Sequence, residues 1–140
     1  MTAYSTAGGV WVIFKRKEGF RFAFGEPIEA GFVIMIGGKP LGLERKRMPG
    51  RVLDISPRGM KMVTEVDLTE YMDKMLQLEV FFVIDKAEIR AIGEIVWCKK
   101  FGSGYHYGIV FPNQPGAESI IISELKARRR KEALGSKTQK

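Results

Sequence analysis

Asp54 and Ser56 stand one residue apart in Leu53-Asp54-Ile55-Ser56-Pro57-Arg58-Gly59-Met60, a polar stretch between two apolar runs. If Val52 to Ser56 is extended, a period of two sends Asp54 and Ser56 to one face and Leu53 and Ile55 to the other. A carboxylate and a hydroxyl side by side can accept and donate hydrogen bonds to a polar ligand over a buried apolar pair. A turn must follow, because Pro57 fixes its own φ and disfavours helix at Ser56, while Gly59 permits unusual backbone angles and close approach. The same residues could instead bond their own backbone in an Asx or Ser-type turn. A second chemical group is Lys15-Arg16-Lys17-Glu18-Gly19-Phe20-Arg21, a cationic turn. Arginine can clamp phosphate oxygens with two parallel hydrogen bonds, whereas lysine acts as a point charge.

The charge distribution agrees with an anionic ligand. Residues 15 to 61 carry eleven basic and five acidic side chains, a balance of +6, and residues 62 to 125 carry five and ten, a balance of −5. The half that holds both chemical groups is the basic one, and it would attract phosphates. Residues 126 to 140 hold seven Lys/Arg against Glu132 alone. A basic tail admits a nucleic-acid reading, but it has no interleaved aromatic platform on which bases could stack. With a single cysteine (Cys98), a single histidine (His106) and no Cys/His cluster at metal spacing, neither a zinc site nor a catalytic constellation is expected. We therefore expect no enzyme, no metal and no resident cofactor. The lone cysteine fits a reducing cytoplasm. Val10 to Phe14 is too short to cross a bilayer, and the uncharged residues before it lack the basic flank of a signal peptide, so no membrane insertion is expected.

These groups need a rigid framework, and the rest of the chain reads as strands. At 140 residues it is long enough to bury one core. Ile28 to Ile36 is strand-like, Lys39 to Gly50 reads as a long loop, and Met60 to Thr64 as a short strand. Residues 76, 78, 80, 82 and 84 are all apolar, and Asp85-Lys86 turns the chain into Ile89 to Trp97, so an antiparallel hairpin is expected. Trp97 falls on the apolar phase of Ile89, Ala91 and Ile95 and is expected in the core, with His106 outside. A loop at Lys99 to Gly104 leads to a last strand, Tyr105 to Phe111. Pro115 opens a helix with Ile120, Ile121 and Leu125 on one face, Glu118 in its first turn and Arg128 to Lys131 near its end, an order that suits the helix dipole.

Asp54-x-Ser56-x-x-Gly59 resembles the second signature of PilZ domains, the bacterial receptors for cyclic di-GMP. Arg16 to Arg21 resembles the first signature, Arg-x-x-x-Arg, with Lys17 at its first position and Arg21 at its second. Arg47-Met48-Pro49-Gly50-Arg51 spells the pattern too, but it abuts Asp54 and leaves no room for a strand between. Gly93 to Trp97 and Tyr107 to Phe111 are similar to late strands of the family, and the likeness covers roughly residues 15 to 112. The resemblance implies an all-β fold: an antiparallel β-barrel of about six strands with a C-terminal α-helix. The chain as a whole reads as an arm (1–14), one domain (15–131) and, where the sequence is polar and without period, a disordered basic tail (132–140). The resemblance also implies a cyclic di-GMP receptor with Arg16, Lys17, Arg21, Asp54, Ser56 and Gly59 at the ligand and a protein partner to regulate. A PilZ-fold adaptor that binds no nucleotide and a basic nucleic-acid-binding barrel remain as alternatives.

Overall fold

The structure is a computed structural model; it describes the backbone of residues 3–6, 9–13, 20–42 and 45–138 and the side chains of 21–42 and 45–134. Its elements are β1 (Ala3–Thr6), β2 (Gly9–Ile13), β3 (Phe20–Ile36), β4 (Lys39–Pro40), β5 (Met48–Ser56), β6 (Gly59–Thr64), a 3-10 turn (Thr69–Tyr71), β7 (Leu76–Val83), β8 (Glu88–Phe101), β9 (Gly104–Val110) and α1 (Pro115–Thr138). Six strands form a ring in the order β3-β5-β6-β9-β8-β7, closed by pairing of β7 with β3. Every pairing is antiparallel. The expected all-β architecture with a C-terminal helix is therefore what the chain forms. Among the described residues, no helix is long and apolar enough to cross a membrane.

Alternation works where the strands are regular. Leu78, Val80 and Phe82 on β7 and Tyr107 and Ile109 on β9 point into one core, joined by Phe22, Phe32, Ile55 and Met62. The β7–β8 hairpin turns where Asp85-Lys86 predicts, with Val83 opposite Glu88. Buried Leu68, beside the 3-10 turn, joins this core, and its N–H donates to the Tyr107 hydroxyl at 2.8 Å while that hydroxyl donates to the Val66 carbonyl at 3.0 Å. Burial pushes the Tyr107 phenol up to about 12.

Several boundaries differ from the sequence reading. Residues 3–6 and 9–13, within the stretch expected as an N-terminal arm, pair as a hairpin that extends the sheet from the first half of β3. Lys39-Pro40 folds back on β3, and β5 already begins at Met48, so the long loop is shorter than expected. Lys99 to Gly104 is no loop either: β8 runs to Phe101 and turns through Gly102-Ser103, where Gly102 takes a φ of +62° that glycine alone adopts freely. The helix runs on to Thr138, past Lys131. It buries Ile121 and Leu125, each contributing roughly 1.5–3 kcal/mol relative to exposure. Ile120, assigned to the same face, is exposed.

Two register shifts matter most. Val52 pairs with Met62 and Asp54 with Lys61, which leaves Leu53 as the extra residue of a bulge. Val52 consequently takes the core position expected for Leu53, with Ile55 beside it. On β8, Ile95 pairs with Ile109 and Trp97 with Gly108, so Val96 is extra. That single residue inverts the phase, and Trp97, expected in the core, is 46% exposed on the outer surface.

Candidate functional site

The two bulges aim their residues at the same place. Across four strands the register aligns Asp54 with Lys61, Lys61 with Gly108, and Gly108 with Trp97. This row lies on the outer surface, opposite the core side chains Ile55, Met60, Tyr107 and Ile109. The indole of Trp97 rests on Gly108, where any Cβ would collide with it. The row forms the floor of a cleft of about 820 Å³ that Arg21, Ser56, Arg58, Gly59 and Glu118 also line.

Arg21 follows the first residue of β3, and Ala23 pairs with Asp54, so the guanidinium reaches along the strand to the carboxylate. Its Nη1 donates to Asp54 Oδ1 at 2.7 Å, while Lys61 Nζ stands 3.8 Å from Oδ2. Asp54 is only 16% exposed, which makes this pair tighter than an ordinary surface bridge. Arg21 is thus held in a fixed pose by the residue that the sequence pairs it with in the ligand site.

Ser56 differs from expectation. It is 2% exposed rather than outward, and its hydroxyl accepts from the Arg58 N–H at 3.3 Å and donates to the Gly59 carbonyl at 3.4 Å. It therefore braces the turn that carries Arg58, as the local-turn reading of the sequence had it. Gly59 is likewise not left-handed. It is glycine because β6 and β9 approach closely there: a Cβ would stand 2.5 Å from the Ile109 carbonyl oxygen. Both residues still line the cleft. Arg16 and Lys17 lie outside the described residues.

The cleft residues to which the sequence reading gave no site role include Arg58, Lys61, Trp97 and Glu118. The position of Lys61 was legible, since a two-residue turn at Pro57-Arg58 puts Asp54 and Lys61 near one another in the hairpin. That of Trp97 was not, because a bulge leaves no mark on a period-two pattern. Arg47, from the rejected second Arg-x-x-x-Arg, sits elsewhere, 3.7 Å over the Phe81 ring and 3.2 Å from Glu88. Among the described residues there is no group of three His, Cys, Asp or Glu side chains fit to hold a metal.

The cleft brings together cations, a fixed carboxylate and an exposed indole, groups whose chemistry can bond phosphate oxygens, accept from N–H donors and stack on a flat ring. The PilZ domain family model matches residues 35–127, and the chain belongs to that family. PilZ domains are receptor or adaptor domains. The match includes Asp54, Ser56, Gly59, Trp97 and Glu118, whereas Arg16, Lys17 and Arg21 lie upstream of it. Comparison with curated proteins and with solved structures finds no match.

Proposed function

We propose that the chain is a cyclic di-GMP receptor that binds without catalysing and changes the surface it offers to a protein partner. The observation that carries this reading is the 2.7 Å pairing of Arg21 with Asp54 beside the Ser56 to Gly59 turn, on one cleft of a PilZ chain. Arg21 and the basic residues Arg16 and Lys17 would take the phosphates, as guanidinium and ammonium groups do. Asp54 would accept from the N–H edge of a guanine, the Ser56 turn and Gly59 would present backbone, and Trp97 would offer a face to a base. Ligand contact with Arg16 and Lys17, next to an Arg21 already held by Asp54, would change the surface offered to a partner. No resident cofactor is needed, and the single cysteine favours the cytoplasm.

A second reading has its own support. Arg21 is bonded to Asp54 and the Ser56 hydroxyl is used within its turn, so these members of the site have partners without a ligand. A PilZ adaptor that binds no nucleotide would look the same. Titration calorimetry of the chain with cyclic di-GMP separates the two. Saturating heat with a defined stoichiometry, lost in Asp54→Ala while the thermal midpoint is kept, supports the receptor. A flat trace for wild type selects the adaptor.

A further inference from the structure

Among the described cations of the cleft, Arg58 is presented in a way the others are not. Arg21 and Lys61 both face Asp54, whereas the Arg58 side chain is 66% exposed and meets only the edge of Glu118, Nε to Oε2 at 3.7 Å. Both ends of that bridge stand on fixed backbone. The Arg58 N–H donates to Ser56 Oγ, and its carbonyl accepts from the Phe111 N–H at 2.8 Å. Glu118 lies in the first turn of α1, its N–H bonded to the Gln114 carbonyl at 3.0 Å. Gln114 in turn is locked onto β8, accepting from the Ile92 N–H at 2.8 Å and donating to the Ile92 carbonyl at 2.6 Å. The backbone on both sides is thus bonded in place, and the bridge between them rests on the two side chains alone.

A single long contact leaves most of the planar donor fork of Arg58 unused, while a phosphate could fill it with two parallel bonds. A carboxylate at the rim of a cleft that otherwise favours anions also opposes an anionic ligand. We propose that Arg58 is a phosphate-binding residue of this cleft and that Glu118 is its internal competitor, holding the guanidinium until a ligand phosphate displaces the carboxylate. This rests on the reading of the cleft as a cyclic di-GMP site, and it supplies the guanidinium that Lys17 lacks.

The test is titration calorimetry of the full chain with cyclic di-GMP at fixed salt, with thermal midpoints measured alongside. Arg58→Ala should weaken binding by about tenfold, the loss of one charge-assisted contact, and Arg58→Lys should recover part of it. Glu118→Gln should tighten binding by roughly two- to fivefold, the scale of a released surface ion pair. In the Arg58→Ala background that tightening should vanish. Saturable wild-type binding that Arg58→Ala leaves unchanged overturns this inference alone. So does tightening by Glu118→Gln that persists without Arg58, since the carboxylate would then act on the ligand directly, and so does Glu118→Gln binding no tighter than wild type. No heat from wild type overturns the inference together with the reading beneath it.

Discussion

Under α1, one oxygen of Glu124 accepts from the backbone N–H groups of Asp85, Lys86 and Ala87 at 2.9, 2.9 and 3.1 Å, whereas in the cleft the Arg58 guanidinium meets Glu118 only at 3.7 Å. The helix seam continues in the same manner: Arg128 donates to the Ile84 carbonyl at 2.9 Å and lies 5.0 Å over the Phe24 ring, and Lys131 stands 2.9 Å from the buried carboxylate of Asp85. Charges there are committed to the backbone and to one another. In the cleft, Arg58 and Trp97 keep much of their surface open. Charges bonded to backbone, such as the buried Glu124 and the part-buried Arg128, fix one arrangement, while half-exposed cations gain little from their present partners and lose little by exchanging them. The basic run of the helix, which the sequence suggests as a tail for nucleic acid, thus spends Arg128 and Lys131 on holding the helix to the ring. Among the described cations of the cleft, Arg58 is the one that does not face Asp54.

The comparison breaks first at Glu124. Glu124→Ala removes the acceptor of three N–H groups in the β7–β8 turn, and hydrogen bonds to a charged group are worth about 1.5–3 kcal/mol each. Water can replace part of this at a partly exposed turn, so a net loss of about 3 kcal/mol is expected, a fall in Tm of roughly 10 °C. Ligand affinity should not change. Unfolding curves that match wild type would mean that the seam is as loosely held as the cleft.

Tyr107 sharpens the contrast from inside the ring. Tyr107→Phe leaves the buried Leu68 N–H without its acceptor, which should cost about 1–3 kcal/mol at neutral pH. Because burial raises the phenol from its ordinary value of 10 to about 12, the folded state holds its proton more tightly than the unfolded chain does. Its contribution is therefore complete below pH 10 and is lost as the pH rises from there through about 12. Denaturant titrations across that range should show wild-type stability falling more steeply than that of the variant. Parallel slopes would refute the assignment.

Trp97→Ala carries a smaller effect on the opposite side of the comparison. Base stacking on an aromatic ring is worth about 1–3 kcal/mol, and an indole already resting on Gly108 should give the lower figure, a loss in affinity of about fivefold with little change in Tm. A large drop in Tm would show that the indole is structural. The same residue marks where the sequence stopped being readable. Regular stretches such as Leu76 to Val83 and Tyr105 to Phe111 declared their faces, because each residue has only two directions to point. At Leu53 and Val96 one extra residue reversed the phase, so Val52 replaced Leu53 in the core and Trp97 left it. Composition carries no trace of such an insertion. Asp54, Ser56 and Gly59 were legible as a turn motif and the two-residue turn already placed Lys61 by Asp54, but the sequence left two readings of Ser56, and its hydrogen bonds to Arg58 and Gly59 select the one in which it braces the turn.

The smallest effect is expected at the far end of the seam, where the sequence reading assigned residues 132–140 to a disordered tail. Glu132 lies within α1, and its Oε2 accepts from Arg128 Nε at 3.0 Å with the spacing of neighbours on one helix face. Such a pair is worth about 0.3–0.5 kcal/mol. Glu132→Ala removes it, but Arg128 keeps the Ile84 carbonyl and the Phe24 ring, contacts that do not depend on Glu132. Stability should fall by about 0.4 kcal/mol, and Arg128→Ala should cost several times more because it releases the carbonyl and the ring together. Equal effects of the two substitutions would mean that Arg128 is positioned by Glu132 and reaches the ring only with its help, in which case the seam extends one helical turn further than its backbone contacts indicate.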